Sequence, residues 1–286
     1  MEEIIYFDNA ATSWPKPPEV RAALDDYFGM AGGNPGRSGH RMSIRAAQVV
    51  EGARDELAEL IGVEDSTRIV LTKNATEGLN TAIYGALRPG DHAITSSIEH
   101  NSVMRPLRHL EAETIELTVV PCRPDGTLDP AGIQDAIQPN TRLIVTLHGS
   151  NVMGSVLPIA EIAAIATAAD IPYLVDASQT AGALQIDALG LGLDMIAMTG
   201  HKSLLGPTGT GALYVRDGID LPPLMRGGTG SRSDLEIQPE FMPDVLESGT
   251  LNVAGYAGLA AGVRHLLDRG IDEVTRHERA LVARFL

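Results

Sequence analysis

Short apolar runs alternate along this chain with stretches in which apolar residues recur every three or four positions. Arg68 to Thr72, His92 to Ser96, Ile115 to Val120, Leu143 to Leu147, Tyr173 to Asp176, Met195 to Met198 and Ala212 to Val215 have strand length. Several of them are apolar throughout, the pattern of strands covered on both faces. Between Ser43 and Ile61 the residues Ile44, Ala47, Val50, Leu57 and Ile61 have helical spacing, and further helices are expected to begin near Glu77, Val103 and Ile159. Ahead of these, Ile4 to Phe7 reads as a short strand, and the prolines after Trp14 force an extended passage into a helix over Glu19 to Phe28. The alternation predicts an α/β fold, a mostly parallel seven-stranded sheet with helices on both faces.

In such sheets ligands bind outside the carboxyl ends of the strands. The residues at those ends are Lys73 to Asn80, Glu99 with His100, His148 to Asn151, Asp176 to Gln179, and Thr199 to Lys202. Five polar strand ends converging on one sheet edge point to a site.

Lys202 is one of three lysines, with Lys16 and Lys73. Burial disfavours its ammonium form, and the resulting neutral amine is a carbonyl nucleophile. After the run ending at Thr72, small polar residues lead into a helix whose first amides lack partners within the helix. That is an anion site to which Thr76 can add its hydroxyl; an ordinary cap by Asn74 or Thr76 is the alternative. The dinucleotide fingerprint is absent, and His201 separates Gly200 from Lys202, which removes the P-loop. Asp176 belongs at the mouth of the sheet, where a carboxylate needs a cationic partner such as a protonated ring nitrogen, with Gln179 able to add a hydrogen bond. Its alternative is a cap for the turn that follows. A lysine for an aldehyde, a carboxylate for a pyridinium and a helix terminus for a phosphate are the three anchors of pyridoxal 5'-phosphate.

Composition narrows the partners. A net charge of −15 argues against nucleic acid and anionic membrane as partners, and the 44% hydrophobic content of 286 residues suffices for a sizeable core. No apolar run reaches membrane-spanning length and no basic leader opens the chain, so a cytoplasmic location is expected. The single cysteine, Cys122, excludes a disulfide framework and a cysteine-based metal cluster.

The motifs Tyr6 to Thr12, Thr76 to Asn80, Glu99 to Ser102, His148 to Gly154, Val175 to Gln179, Thr199 to Gly211 and Glu247 to Asn252 occur together and in order. In this the chain resembles the class V aminotransferases of fold type I, closest to the cysteine desulfurase and selenocysteine lyase group. The resemblance implies that Lys202 holds the cofactor and later acts as base at the substrate α-carbon, that Asp176 pairs with the pyridine nitrogen, and that Gln179 meets the phenolic oxygen. It further implies that His100 stacks on the ring, that Asn151 lies near the phenolic oxygen and substrate, and that Ala75, Thr76, Thr199 and His201 bind the phosphate. Thr250 would complete the phosphate site of a second subunit, which implies a homodimer. The loop with Arg37, His40 and Arg41 resembles the part near the substrate entrance.

The activity so implied is removal of sulfur from L-cysteine to give L-alanine and an enzyme persulfide, with a possible sulfur-acceptor protein as partner. An aminotransferase or selenocysteine lyase of the same family is the first alternative; a catalytically incomplete cofactor-binding or scaffold protein is the second. The family's sulfur-attacking cysteine and its carboxylate-binding arginine lie in a C-terminal part with no counterpart here, and Cys122 does not match that cysteine. Residues Asp272 to Leu286 have helical spacing with nothing to stop them, so the chain is expected to end inside a helix with most of the small C-terminal domain truncated. This form is then expected to keep the cofactor platform and to lack the persulfide step. The expected division is an N-terminal segment at 1–16, a large cofactor-binding domain at 17–265 and the start of the small domain at 266–286.

Overall fold

The computed structural model describes residues 4–30, 32–36, 39–232 and 235–286. Its seven strands are β1 (Ile69–Thr72), β2 (His92–Ser96), β3 (Glu116–Val120), β4 (Thr141–Leu147), β5 (Tyr173–Asp176), β6 (Met195–Thr199) and β7 (Gly211–Val215). They form one sheet in the order β1-β7-β6-β5-β4-β2-β3. β2 pairs in parallel with β3 and β4, β4 with β5, and β5 with β6, whereas β7 runs antiparallel to both β6 and β1. Six strands therefore share one direction, and β7 alone opposes them. The carboxyl ends of β1 to β6 lie along one edge, together with the beginning of β7.

The helices are α1 (Pro18–Met30), α2 (Arg41–Leu60), α3 (Ala75–Ala86), α4 (Asn101–Glu113), α5 (Pro130–Asp135), α6 (Ile159–Ala168), α7 (Val253–Arg269) and α8 (Ile271–Phe285). Alternate strand residues enter opposite cores, as the two-residue period of a strand requires. Ile144, Val175, Ile196 and Tyr214 pack with Leu57 of α2, Ile162 of α6 and Leu259 of α7. Val145, Leu174, Ala197 and Leu213 pack with Leu79 of α3 and Leu107 of α4 on the other face. Helices cover both faces, as the apolar runs predict.

Some boundaries differ from the sequence expectation. α3 starts at Ala75, two residues before Glu77, because Asn74 Oδ1 accepts the Glu77 amide at 3.0 Å and caps the helix there. α4 starts at Asn101 because His100 caps it. Ile4 to Phe7 forms no strand: nothing in the sheet pairs with it, and Ile4, Ile5 and Phe7 stay exposed. Polar contacts hold that segment instead, with Tyr6 OH donating to the Thr12 carbonyl at 3.0 Å. α7 escapes a periodicity reading because glycine occupies its contact face. A β-carbon on Gly262 would stand 2.6 Å from the Leu204 carbonyl oxygen, so glycine lets α7 press directly on the chain just after Lys202.

Candidate active site

At the shared strand edge lies a cavity of about 270 Å3, lined from β1, β2, β4, β5 and β6. It brings together Ala75, Thr76, His100, Asn151, Asp176, Gln179, Thr199, His201 and Lys202. Thr250 is not among them. It lies exposed beside a second cavity with Arg54 and Glu247. Arg37 lies outside the described residues, and His40 caps α2 by accepting the Ser43 amide at 3.1 Å. Cys122 is half-buried after β3 and does not line the cavity.

Each wall follows from local chemistry. Asn74 takes the Glu77 amide, so the earlier amides of Ala75 and Thr76 remain as donors at the positive end of the α3 dipole. Gly211 makes this placement feasible, since a β-carbon there would lie 2.7 Å from the Asn74 backbone. His201 is half-buried and lines the same cavity, and its Nδ1 is a buried polar atom without a hydrogen-bond partner among the described residues. Burial lowers the imidazole's pKa, with Lys202 and Lys16 adding to the effect, so His201 is neutral near pH 7.

Asp176 ends β5 with 5% of its surface exposed. Its Oδ1 accepts from the Ser178 amide at 3.0 Å and the Ser178 hydroxyl at 2.5 Å, while Oδ2 has no hydrogen-bond partner among the described residues. A buried carboxylate with one oxygen doubly satisfied and the other uncommitted is suited to a cationic N–H donor. The Lys202 amine, also without a hydrogen bond among the described residues, lines the same cavity. Burial lowers its pKa against the opposing pull of Asp176, which moves it toward the neutral, nucleophilic form.

His100 Nδ1 accepts the Ser102 amide at 3.1 Å, which places the ring proton on Nε2. Ser102 Oγ bridges His100 Nδ1 (2.9 Å) and Thr76 Oγ1 (2.8 Å), joining the α4 cap to the α3 terminus. Ser102 had no role assigned from sequence, although it stands within the Glu99 to Ser102 motif. Glu99 is the other addition. Its carboxyl is enclosed, bonded to the Ser96 hydroxyl and accepting the Leu147 amide at 2.8 Å. Burial pushes it up to about 8, with nearby Asp176 contributing, so it is protonated at neutral pH. The sequence signal was its position at a strand end.

These residues fit pyridoxal phosphate. The α3 amides and the unpartnered His201 nitrogen suit a phosphate, the free Asp176 oxygen suits a pyridinium N–H, and Lys202 suits the aldehyde.

Comparison with known proteins gives the same direction. The model for aminotransferase class V matches residues 5–286. A probable cysteine desulfurase from Methanothermobacter thermautotrophicus is 36% identical over 283 residues, covering 97% of this chain and 70% of the relative. The apo structure of cysteine desulfurase from Thermococcus onnurineus superimposes with a TM-score of 0.91 at 33% identity, over 98% of this chain and 72% of that one. The structure of SspA in complex with cysteine matches with a TM-score of 0.82 at 33% identity, over 92% of this chain and 73% of that one. With a lysine, a buried carboxylate and a helix terminus meeting at the sheet edge, and with the match running almost end to end, the chain belongs to the class V aminotransferases, a family of pyridoxal-phosphate enzymes.

Proposed function

We propose that this cavity holds pyridoxal 5'-phosphate through Lys202 and that the chain acts as a cysteine desulfurase, taking sulfur from L-cysteine and leaving L-alanine. The observation that carries the reading is the meeting of an uncommitted Asp176 oxygen and an unpartnered Lys202 amine beside the α3 N-terminus. The names of the relatives support the sulfur chemistry, and a related structure with bound cysteine supports the substrate.

When bound, the cofactor supplies an electron sink for the substrate α-carbon. The chain supplies the rest. The amides of Ala75 and Thr76, the Thr199 hydroxyl and His201 bind the phosphate. Asp176 accepts the ring N–H and holds its proton in place, shielded from water by burial. With the cofactor bound, Gln179 and Asn151 would donate toward the phenolic oxygen and His100, its Nδ1 tied to α4, would cover the ring face. The Lys202 amine, its pKa lowered by burial, takes the proton from the substrate α-carbon and can return it. Thr250 of a second copy completes the phosphate site, making the active form a homodimer. The protein works in the cytoplasm and passes sulfur directly to the thiol of an acceptor, which becomes a persulfide while its S–H proton replaces sulfur on the substrate carbon, since Cys122 does not line the cavity.

One observation favours a second reading. The sole cysteine, Cys122, does not line the cavity, and transamination, which returns the amino group to a keto acid, requires no enzyme thiol. The discriminating experiment has two parts. Wild type and Lys202→Ala are loaded with pyridoxal phosphate and compared by visible absorption before and after borohydride; a trapped adduct in the wild type alone supports the cofactor reading, and its absence refutes it. Release of alanine from cysteine, with sulfide formed when an added dithiol reductant supplies the two electrons, then supports the desulfurase, whereas turnover only with a keto-acid acceptor supports the aminotransferase.

A further inference from the structure

Four hydrogen bonds converge on one carbonyl. The Ser13 amide (3.0 Å), the Thr12 hydroxyl (3.1 Å), the Ser13 hydroxyl (3.2 Å) and Lys16 Nζ (2.9 Å) all donate to the backbone oxygen of His201. A carbonyl oxygen has two lone pairs, so this one carries more than its ordinary load. Lys16 Nζ also donates to Ser13 Oγ at 2.7 Å, so both acceptors of a half-buried lysine are neutral. Burial without a counter-ion lowers its amine to about 8. Placing a lysine there is costly unless its contact matters.

The loaded carbonyl belongs to the peptide bond between His201 and Lys202. Rotating that peptide plane changes the backbone angles on both sides and swings the Lys202 side chain. Beyond it the turn is closed by the Leu205 amide on the Lys202 carbonyl (2.9 Å) and the Gly206 amide on the Gly200 carbonyl (2.8 Å). The same N-terminal segment is held at a second point, where Gln179 Nε2 donates to the Ala10 carbonyl at 3.2 Å. Residues 10 to 16 thus bind two walls of the cavity, although from sequence Lys16 has no role beyond membership of the N-terminal segment.

We propose that Lys16 is a positioning residue: with Thr12 and Ser13 it clamps the His201–Lys202 peptide and sets the direction in which the Lys202 amine enters the cavity. The catalytic meaning of the clamp rests on the proposed role of Lys202; the clamp itself can be read without the cofactor.

The test is amide hydrogen exchange on unloaded wild type, Lys16→Met and Lys16→Arg. Methionine keeps much of the aliphatic stem and removes the donor; arginine restores a donor and a charge. Exchange across residues 199–206 accelerates about tenfold in Lys16→Met and stays within about twofold of wild type in Lys16→Arg, while β4 and β5 are unchanged. Unchanged exchange at 199–206 in Lys16→Met overturns the proposal. So does acceleration spread equally over the whole chain, or an arginine variant as fast as the methionine one. If Lys16→Met does not fold, Thr12→Val removes another donor to the same oxygen and must accelerate the same peptide, less strongly; no change there overturns the clamp. Borohydride trapping of loaded protein is read separately. A wild type that traps no cofactor refutes the proposed function, while the exchange result still decides the clamp.

Discussion

Glu99 and Leu147 join two strand ends: the carboxyl after β2 accepts the amide at the end of β4 at 2.8 Å, under the floor of the cavity. Leu147 is in register with Asp176 on β5, so Glu99 sits one strand away from the carboxylate assigned to the cofactor ring. Two ionised carboxylates there would repel, and burial resolves the conflict by keeping Glu99 protonated.

The pH dependence follows. The folded-state pKa of Glu99 is about 8, well above its value in the unfolded chain, so between about pH 4.5 and 8 the folded chain holds a proton that the unfolded chain has released. The stabilisation is complete below the unfolded value and is lost as pH rises through about 8. Glu99→Gln keeps one acceptor for Leu147 and offers a donor to Ser96 without titrating. In urea unfolding, Glu99→Gln matches wild type near pH 4.5 and exceeds it by about 3–5 kcal/mol at pH 8. A pH-independent difference between the two would show that Glu99 does not carry the slope.

A buried ion pair governs stability elsewhere. Arg54 of α2 meets Glu247 in a bidentate contact of 2.6 and 2.7 Å, and each also bonds backbone of β1, Arg54 to the Ile69 carbonyl and Glu247 to the Leu71 amide. Removing one partner strands a charge. Arg54→Met is expected to cost about 3–5 kcal/mol, and Arg54→Met with Glu247→Leu distinctly less than the single change. Equilibrium unfolding of wild type, both single variants and the double variant checks this, and a double variant as damaged as the sum of its parts would count against the coupling.

Asp176→Asn tests the ring contact. Asparagine preserves shape and can still accept at Oδ1, but it cannot hold a pyridinium proton. Loaded protein should retain its borohydride-trapped adduct while cysteine turnover falls by about a hundredfold or more. Turnover within a few fold of wild type would remove Asp176 from its proposed role.

The proposed sharing of a phosphate site between two copies makes a mixing prediction. Lys202→Ala and Thr250→Ala, each as the proposed homodimer, are expected to be inactive or impaired. After exchange of subunits, heterodimers contain one site with both side chains, and activity returns toward about a quarter of wild type. No recovery, with exchange confirmed by mass, would place Thr250 outside the partner's site.

The site was legible in the sequence because each of its strands is a short apolar run that stops at polar residues, and parallel strands bring such stops to one edge. Lys202, Asp176 and the α3 terminus could be read this way. β7 could not: Ala212 to Val215 looks like its parallel neighbours, and its reversal depends on pairing with β1 and β6. Glu99 was visible only as one more polar strand end, because its protonation arises from enclosure by Ser96 and Leu147. Lys16 was hidden for the same reason. The His201 carbonyl it grips lies 185 residues away in the chain, and no local pattern encodes a contact of that span. Ile4 to Phe7 misled because its apolar residues satisfy the strand pattern without any sheet edge to join.

The placement of β7 also has a consequence during synthesis. Among the described residues β1 pairs only with β7, Ile69 opposite Tyr214, so a strand made early waits for one made much later. At bacterial translation speeds the roughly 145 intervening residues take about 10–30 s. Throughout that interval the nascent chain displays an apolar, unpaired strand, Ile69 to Leu71, whose backbone groups are open to another chain. Production of this protein should therefore depend on chaperone capacity and on slower, cooler expression more than the stability of the finished fold suggests.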